Sequence, residues 1–324
     1  MARLAILIVI FLVLGLCALL AITIVAALRT PAATATNTDP EVLAVLTSAQ
    51  RRAWFSIGVA VALVLIIISI NAAMPASLGL PIALAPMVAA TGAILVQAFP
   101  GQRSFQASNS TARSASLEAR TPWQYVSKPA LWVPILCTLA LTGFLIFTGL
   151  TASADDFGLA RALHIQTENM GTGGSPYPGW YYGIPLLLAA AALLGATLLA
   201  HARLSKIAAF PRTDLSDIDR TWRHGMARII SAMSVSGTLV TLSGVSLFGG
   251  RVISSALRTL TANGEPAPAW LQSGGFIVAA GLLCLLGGLA SIFMAARWAA
   301  VLKEQALTIT PLDPAHRPPT NPYM

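Results

Sequence analysis

From residue 53 to residue 102 the chain runs for fifty residues without one charged side chain. A single helix crosses about 30 Å of hydrocarbon with roughly 20 residues. The stretch is therefore too long for one crossing and holds a break at "NAAMPASLGLP", 71–81, where Gly and two Pro punctuate the apolar pattern. It reads as two membrane helices, 53–74 and 78–99, joined by a tight turn. Five further apolar stretches have the length to cross: 4–28, 130–152, 180–200, 229–249 and 274–296. The expected fold is all-α, a polytopic bundle of seven transmembrane helices in one membrane domain over 1–310, followed by a Pro-rich cytoplasmic tail, 311–324.

Composition agrees. Charged residues are 10% of the 324 and hydrophobic ones 56%, whereas a soluble domain carries about 25% charged residues. Such a chain has too little polar surface to face water all round, and its principal partner is the lipid bilayer. The three cysteines, Cys17, Cys137 and Cys284, lie within apolar runs and suit small packing residues better than a disulfide or a metal site.

Lys and Arg set the orientation through their cytoplasmic bias. With the N-terminus outside and the C-terminus inside, sixteen of the twenty basic residues and eight of the twelve acids fall on the cytoplasmic side. That leaves +8 inside and no net charge outside. The positive charge therefore belongs to the membrane surface, and no nucleic-acid partner is implied. Residues 4–28 also invite comparison with a cleaved signal peptide, but their apolar run exceeds the usual 7–15 residues. Asp39 and Pro40 mark the start of a helix that leads into span two.

No Asp, Glu, Lys, Arg or His falls in the middle of any span. Pumps and proton relays carry their coupling charge at membrane depth, so the pattern disfavours an ion site in this chain. Asn71 and Gln97 are the intramembrane carboxamides, read as partners in interhelical hydrogen bonds or as interfacial side chains in preference to a substrate site. Span six carries Ser231, Ser234, Ser236, Thr238, Thr241, Gly244 and other small residues, so it is expected at the bundle centre, for close packing or to line a path. Span seven repeats small residues at Ala280, Cys284 and Gly288 and at Gly287, Ser291 and Ala295, each series on one face. Spans six and seven are expected to be neighbours.

The largest external loop, 153–179, contains "DDFGLARALHIQ", read as a short helix capped by Asp155. His164 and Glu168, four apart, would then share a face, and with Asp155 and Asp156 form a candidate exoplasmic site. The pattern fits no known metal spacing, and no metal is assigned. "GTGGSPYPG" has no Lys for phosphates and is not a nucleotide loop. It reads as a turn returning the chain to the membrane, with Tyr177, Trp180, Tyr181 and Tyr182 as an aromatic anchor. No cofactor motif occurs. At the cytoplasmic face, 203–229 reads as a helix from Thr213 to Met226, with Asp early and Arg late, able to dock a cytoplasmic or membrane partner. His201 and His224 lie on the same face without a ligand pattern.

The runs "RSASLEART" to "QYV" before span four, "TASADDFGLARAL" after it and "SPYPGWYYGIPLL" opening span five resemble multi-spanning, uncharacterised membrane proteins of high-GC Gram-positive bacteria, over about 113–188. The resemblance implies a plasma-membrane protein and supplies no functional residue. The expected function is a non-catalytic transport-associated subunit, permease-like or accessory. The alternatives are a structural or regulatory protein of a larger complex, and an exoplasmic enzyme using 155–168.

Overall fold

A computed structural model describes residues 40–99, 126–207 and 216–308. Span 4–28 and the tail 311–324 lie outside the described residues. Among the described residues six helices are long and apolar enough to cross a membrane. They are α1, Pro40–Ala73; α2, Leu80–Ala98; α3, Lys128–Leu150; α4, Trp180–Lys206; α5, Ser216–Ala262; and α6, Gly274–Thr308. Three strands lie between α3 and α4: β1, Ser153–Ala154; β2, Ala160–Gln166; and β3, Gly171–Gly174, paired antiparallel in the order β1-β2-β3.

The break expected in the fifty uncharged residues is present. α1 stops at Ala73, a 3-10 turn covers Pro75–Ser77, and Leu78 and Gly79 take left-handed conformations that reverse the chain. Pro81 sits in the first turn of α2, where a missing N–H costs nothing. α1 begins at Pro40 and continues without interruption into the span, as the Asp39–Pro40 signal implies.

α5 is the axis of the bundle. Its most apolar stretch is 83% buried, against 11% for α6 and 17% for α1. Ser231, Ser234, Ser236, Thr238, Thr241, Ser243 and Ser246 are all buried along it. Small residues let neighbours approach closely. A methyl at Gly237 would stand 2.7 Å from Ala90 Cβ and 3.1 Å from Pro86 O, on α2. α6 packs against α5 through glycines on both sides: Gly250 faces Gly274 O and Val278, Gly281 faces Ser246 and Leu247, and Gly288 faces Val240. The neighbour relation expected of spans six and seven holds. Large apolar side chains point outward on the peripheral helices, including Leu139, Leu188, Phe276 and Leu283, each at least 60% exposed. In water such a surface would aggregate, and in lipid it is solvated.

The helices alternate in direction, and contacts gather their ends into two faces. At one face Tyr181 and Tyr182 donate to the carbonyls of Ser77 and Leu78, 3.0 and 2.7 Å, tying the start of α4 to the α1–α2 turn. The strands lie at this end. At the other face Gln50 Nε2 donates to Ala300 O, 2.7 Å, tying the start of α1 to α6. Arg51, Arg52, Arg203, Lys206, Arg220, Arg223, Arg228 and Arg297 belong to this second, arginine-rich face.

Two boundaries differ from the sequence reading. The fold is not purely α, because 153–174 forms a sheet. α5 also spans 47 residues, about 70 Å at 1.5 Å each, well beyond the expected 229–249. Its start, from Ser216, takes in most of the helix expected at Thr213–Met226, which runs on into the span as expected. Its end supports the strands, where Ile253, Ala256, Leu260 and Leu271 form a second apolar core with Leu163 and Tyr177.

Candidate functional site

The strands at the hairpin end replace the expected capped helix, and the local chemistry explains why. Asp155 does accept backbone N–H bonds, from Phe157 and Leu159 at 2.9 Å each, but these close a turn. Gly158 at φ 73° then carries the chain out of the helical region. Asp155 also pairs with Arg161, which stacks over Phe157 at 5.7 Å. Beyond the turn the side chains alternate. Leu163 and Ile165 face the apolar core, and His164 and Gln166 are exposed, the period of two of a strand. Partnering needs a slim strand: Gly173 lies opposite His164, and a Cβ there would collide with Leu163 O.

The four candidate exoplasmic residues are therefore distributed along the hairpin. Asp155 is engaged by Arg161, Asp156 is exposed at the turn, His164 projects from β2, and Glu168 lies exposed in the β2–β3 connection. Glu168 and His164 share no helix face. Among the described residues no group of three His, Cys, Asp or Glu side chains is placed to hold a metal. Partial burial acts to raise the Asp155 pKa. The Leu159 N–H, the Arg161 guanidinium and the Phe157 N–H outweigh it, and the pKa lies below the ordinary carboxylate value. Tyr177 is not an interfacial anchor. It is fully buried, shares a 2.6 Å hydrogen bond with Thr151, and burial raises its pKa. "GTGGSPYPG" is thus a strand followed by a core-forming return into α4.

Four of the buried hydroxyls of α5, those of Ser231, Ser234, Thr238 and Thr241, are occupied. Thr238 and Thr241 donate to the carbonyls four residues back, Ser234 O and Gly237 O, at 3.0 and 2.9 Å. Thr197 of α4 reaches Ser234 Oγ at 3.0 Å. Ser231 donates to Ala130 O at 2.6 Å, so its 3.2 Å contact with His201 makes Nε2 the ring's donor. His201 Nδ1 is then a buried acceptor with no partner. Gly244 is different: it is half-exposed, and nothing lies within 4 Å of a Cβ added there.

At the arginine-rich end Arg223 is completely buried. Its Nε donates to Asp219 Oδ2 at 2.8 Å, and its Nη1 and Nη2 donate to Leu204 O and Ile207 O at 2.7 and 2.9 Å. Those carbonyls close α4, so a cation from α5 caps the negative end of its neighbour. Sequence reasoning had Arg223 as a helix-dipole residue of α5 and missed the α4 cap, for which only the buried neighbours Trp222 and Met226 hinted at an inward face. Gln97 does make the interhelical bond expected of it, Nε2 to Ser56 Oγ at 2.8 Å. Its Oε1 is a buried acceptor without a partner, as is Asn71 Oδ1. Beside Gln97 a shallow cleft opens between α1, α2, α4 and α5, lined by Arg52, Arg203 and Trp222 among others.

Comparison with protein-family models, curated proteins and solved structures finds no match. The class is defined by the fold itself. Six long apolar helices, five of them around the polar-faced α5, with apolar side chains outward, are those of an integral membrane protein.

Proposed function

We propose that the chain is a non-catalytic accessory subunit of a larger plasma-membrane assembly, associated with transport. In this reading it has seven spans, the N-terminus outside and the arginine-rich face in the cytoplasm. The observation that carries it is the packing of α5, where Ser231, Thr238 and Thr241 donate to carbonyls of a neighbour or of their own helix. Buried hydroxyls that bond their own helix or an immediate neighbour favour tight packing over a permeation path. The half-exposed Gly244 and the outward face of α6 offer the close-packing surface that a second membrane protein needs. A permease-like role is the second reading, favoured by the unpartnered His201 Nδ1 deep beside Ser231.

Purification from native membranes in mild detergent, with mass spectrometry of stoichiometric companions, tests the assembly. Gly244→Leu should leave the isolated protein monodisperse, because among the described residues nothing lies within 4 Å of a Cβ there, and should release the companion. A wild-type protein that purifies alone overturns the accessory role. Retention of the companion by Gly244→Leu overturns the surface assigned to it.

A further inference from the structure

The cleft at the arginine-rich end is mostly apolar, yet two arginines and a buried carboxamide line it. It lies where α1, α2, α4 and α5 end together, lined by Arg52, Arg203, Gln97, Trp222, Met226 and Ile230 among others. Neither Arg52 nor Arg203 pairs with a carboxylate among the described residues. Arg203 is held by its stacking on Phe99, 4.9 Å from the ring. Two guanidiniums lining one cleft, with no carboxylate of the described residues paired to either, select an anionic oxygen cluster.

Two further groups refine the ligand. Gln97 is 7% exposed and its Oε1 has no partner, while its Nε2 is engaged by Ser56. Ser56 donates its own proton to Ala53 O, so it accepts from Gln97, and the amide orientation follows from the network. The open atom is thus an acceptor, which asks for a hydroxyl donor on the ligand. Trp222 is 6% exposed, and its indole N–H, a donor only, is also unpartnered. A single water would satisfy Gln97 but leave both cations unneutralised. The cavity itself measures about 20 Å3, room for one water or one hydroxyl-sized group. It is shallow, so a ligand places its polar tip here and keeps the rest outside. Trp54, Trp222 and Trp298 lie at the same end, the level at which indoles meet headgroups.

We propose that this cleft is a binding site for a glycerophosphate group, with Arg52 and Arg203 taking the phosphate and Gln97 Oε1 accepting from a glycerol hydroxyl. The group has two sources, the headgroup of phosphatidylglycerol and soluble glycerol phosphate. Basic clefts between transmembrane helices at the headgroup level are suited to the first. The inference stands independently of the accessory-subunit reading, since it needs no protein partner.

The test uses the full chain, stripped of lipid in detergent and titrated separately with phosphatidylglycerol, phosphatidylmethanol, phosphatidylcholine and glycerol 3-phosphate, with binding read by native mass spectrometry. Phosphatidylglycerol should bind on the order of tenfold more tightly than phosphatidylcholine, the value of one charge-assisted hydrogen bond. Arg52→Gln and Arg203→Gln should each lose that advantage, while Arg51→Gln and Lys206→Gln, exposed cations outside the cleft, should keep it. Gln97→Leu should equalise phosphatidylglycerol and phosphatidylmethanol, which has the same charge and no hydroxyl. Binding of glycerol 3-phosphate alone would assign the soluble source, and its absence alongside phosphatidylglycerol binding the lipid. Equal binding of all ligands overturns the site, as does an advantage that survives both arginine substitutions. Arg203 is exposed and unpaired, so its variant keeps the test decisive if Arg52→Gln folds poorly.

Discussion

Replacing Arg223 by Ala is the most informative single perturbation of this bundle. The guanidinium is 0% exposed, and the Asp219 side chain it pairs with is 10% exposed. Removing it leaves a carboxylate with little access to water and strips the donors from Leu204 O and Ile207 O at the end of α4. Breaking a buried pair by deleting one partner costs about 3–5 kcal/mol, and each carbonyl left without a donor adds up to about 1–3 kcal/mol where water cannot reach it. The chain ends at this face are near the headgroups, so the lower figure, about 3 kcal/mol, is the expected loss. Arg223→Lys should fall between, because one ammonium cannot reproduce a planar fork serving three acceptors on two helices. The double variant Asp219→Asn, Arg223→Met removes the stranded charge and should lose less than Arg223→Ala alone. The assay is reversible unfolding of the purified protein in mixed micelles of mild detergent and SDS, followed by helical circular dichroism. A loss below about 0.5 kcal/mol for Arg223→Ala would refute the reasoning, since that is the range of ordinary surface substitutions.

Other expectations follow from neighbouring contacts. Gly237→Ala should destabilise by about 1–3 kcal/mol, because its methyl meets Ala90 Cβ and Pro86 O with no flexible end to yield, while Gly244→Ala should be neutral in the isolated protein. Unfolding of both in the same micelles checks this. Ser234→Ala should cost only about 0.6 kcal/mol, the average interhelical hydrogen bond in a membrane, whereas a loss several times larger would point to a network beyond Thr197. The Asp155 pKa is depressed in the folded hairpin, so its stabilising contribution is complete above the ordinary carboxylate value, about 3.9, and is lost as pH falls through the folded value. The protection factors of amides 155–166, exchange rates corrected for the intrinsic pH dependence, should therefore fall only in acid and lose that fall in Asp155→Asn. Single cysteines at Lys206 and Ser273, in a chain lacking Cys17, Cys137 and Cys284, should label from opposite sides of sealed cells. Labelling of Ser273 alone from outside is the outcome required by the N-out, C-in reading.

The membrane class and much of the helix order were legible from the sequence because they depend on composition summed over long segments. A stretch of about 20 uncharged apolar residues has one stable state in lipid whatever its neighbours are. The turn at 74–79 and the central place of α5 followed from Pro, Gly and small polar residues of the same kind. The hairpin was not legible. "ARALHIQ" has good helix formers, and what makes it β2 is the Gly171–Gly174 strand that can approach it and the core that Leu163 enters with Ile253 and Leu260. Those partners lie up to about a hundred residues away, and no local propensity reports them.

The same division runs through the sites. Local sequence determined which side chains are polar, that His201 and Gln97 stand near span ends, and that arginines collect at alternate loops. Only the tertiary structure decided that Asp155 spends its carboxylate on Arg161, that Arg223 of α5 closes α4, and that Arg52, Gln97, Arg203 and Trp222 from four helices line one cleft. A solvent preference is a property of each segment by itself, whereas a satisfied or orphaned polar atom is a property of two segments brought within 3 Å.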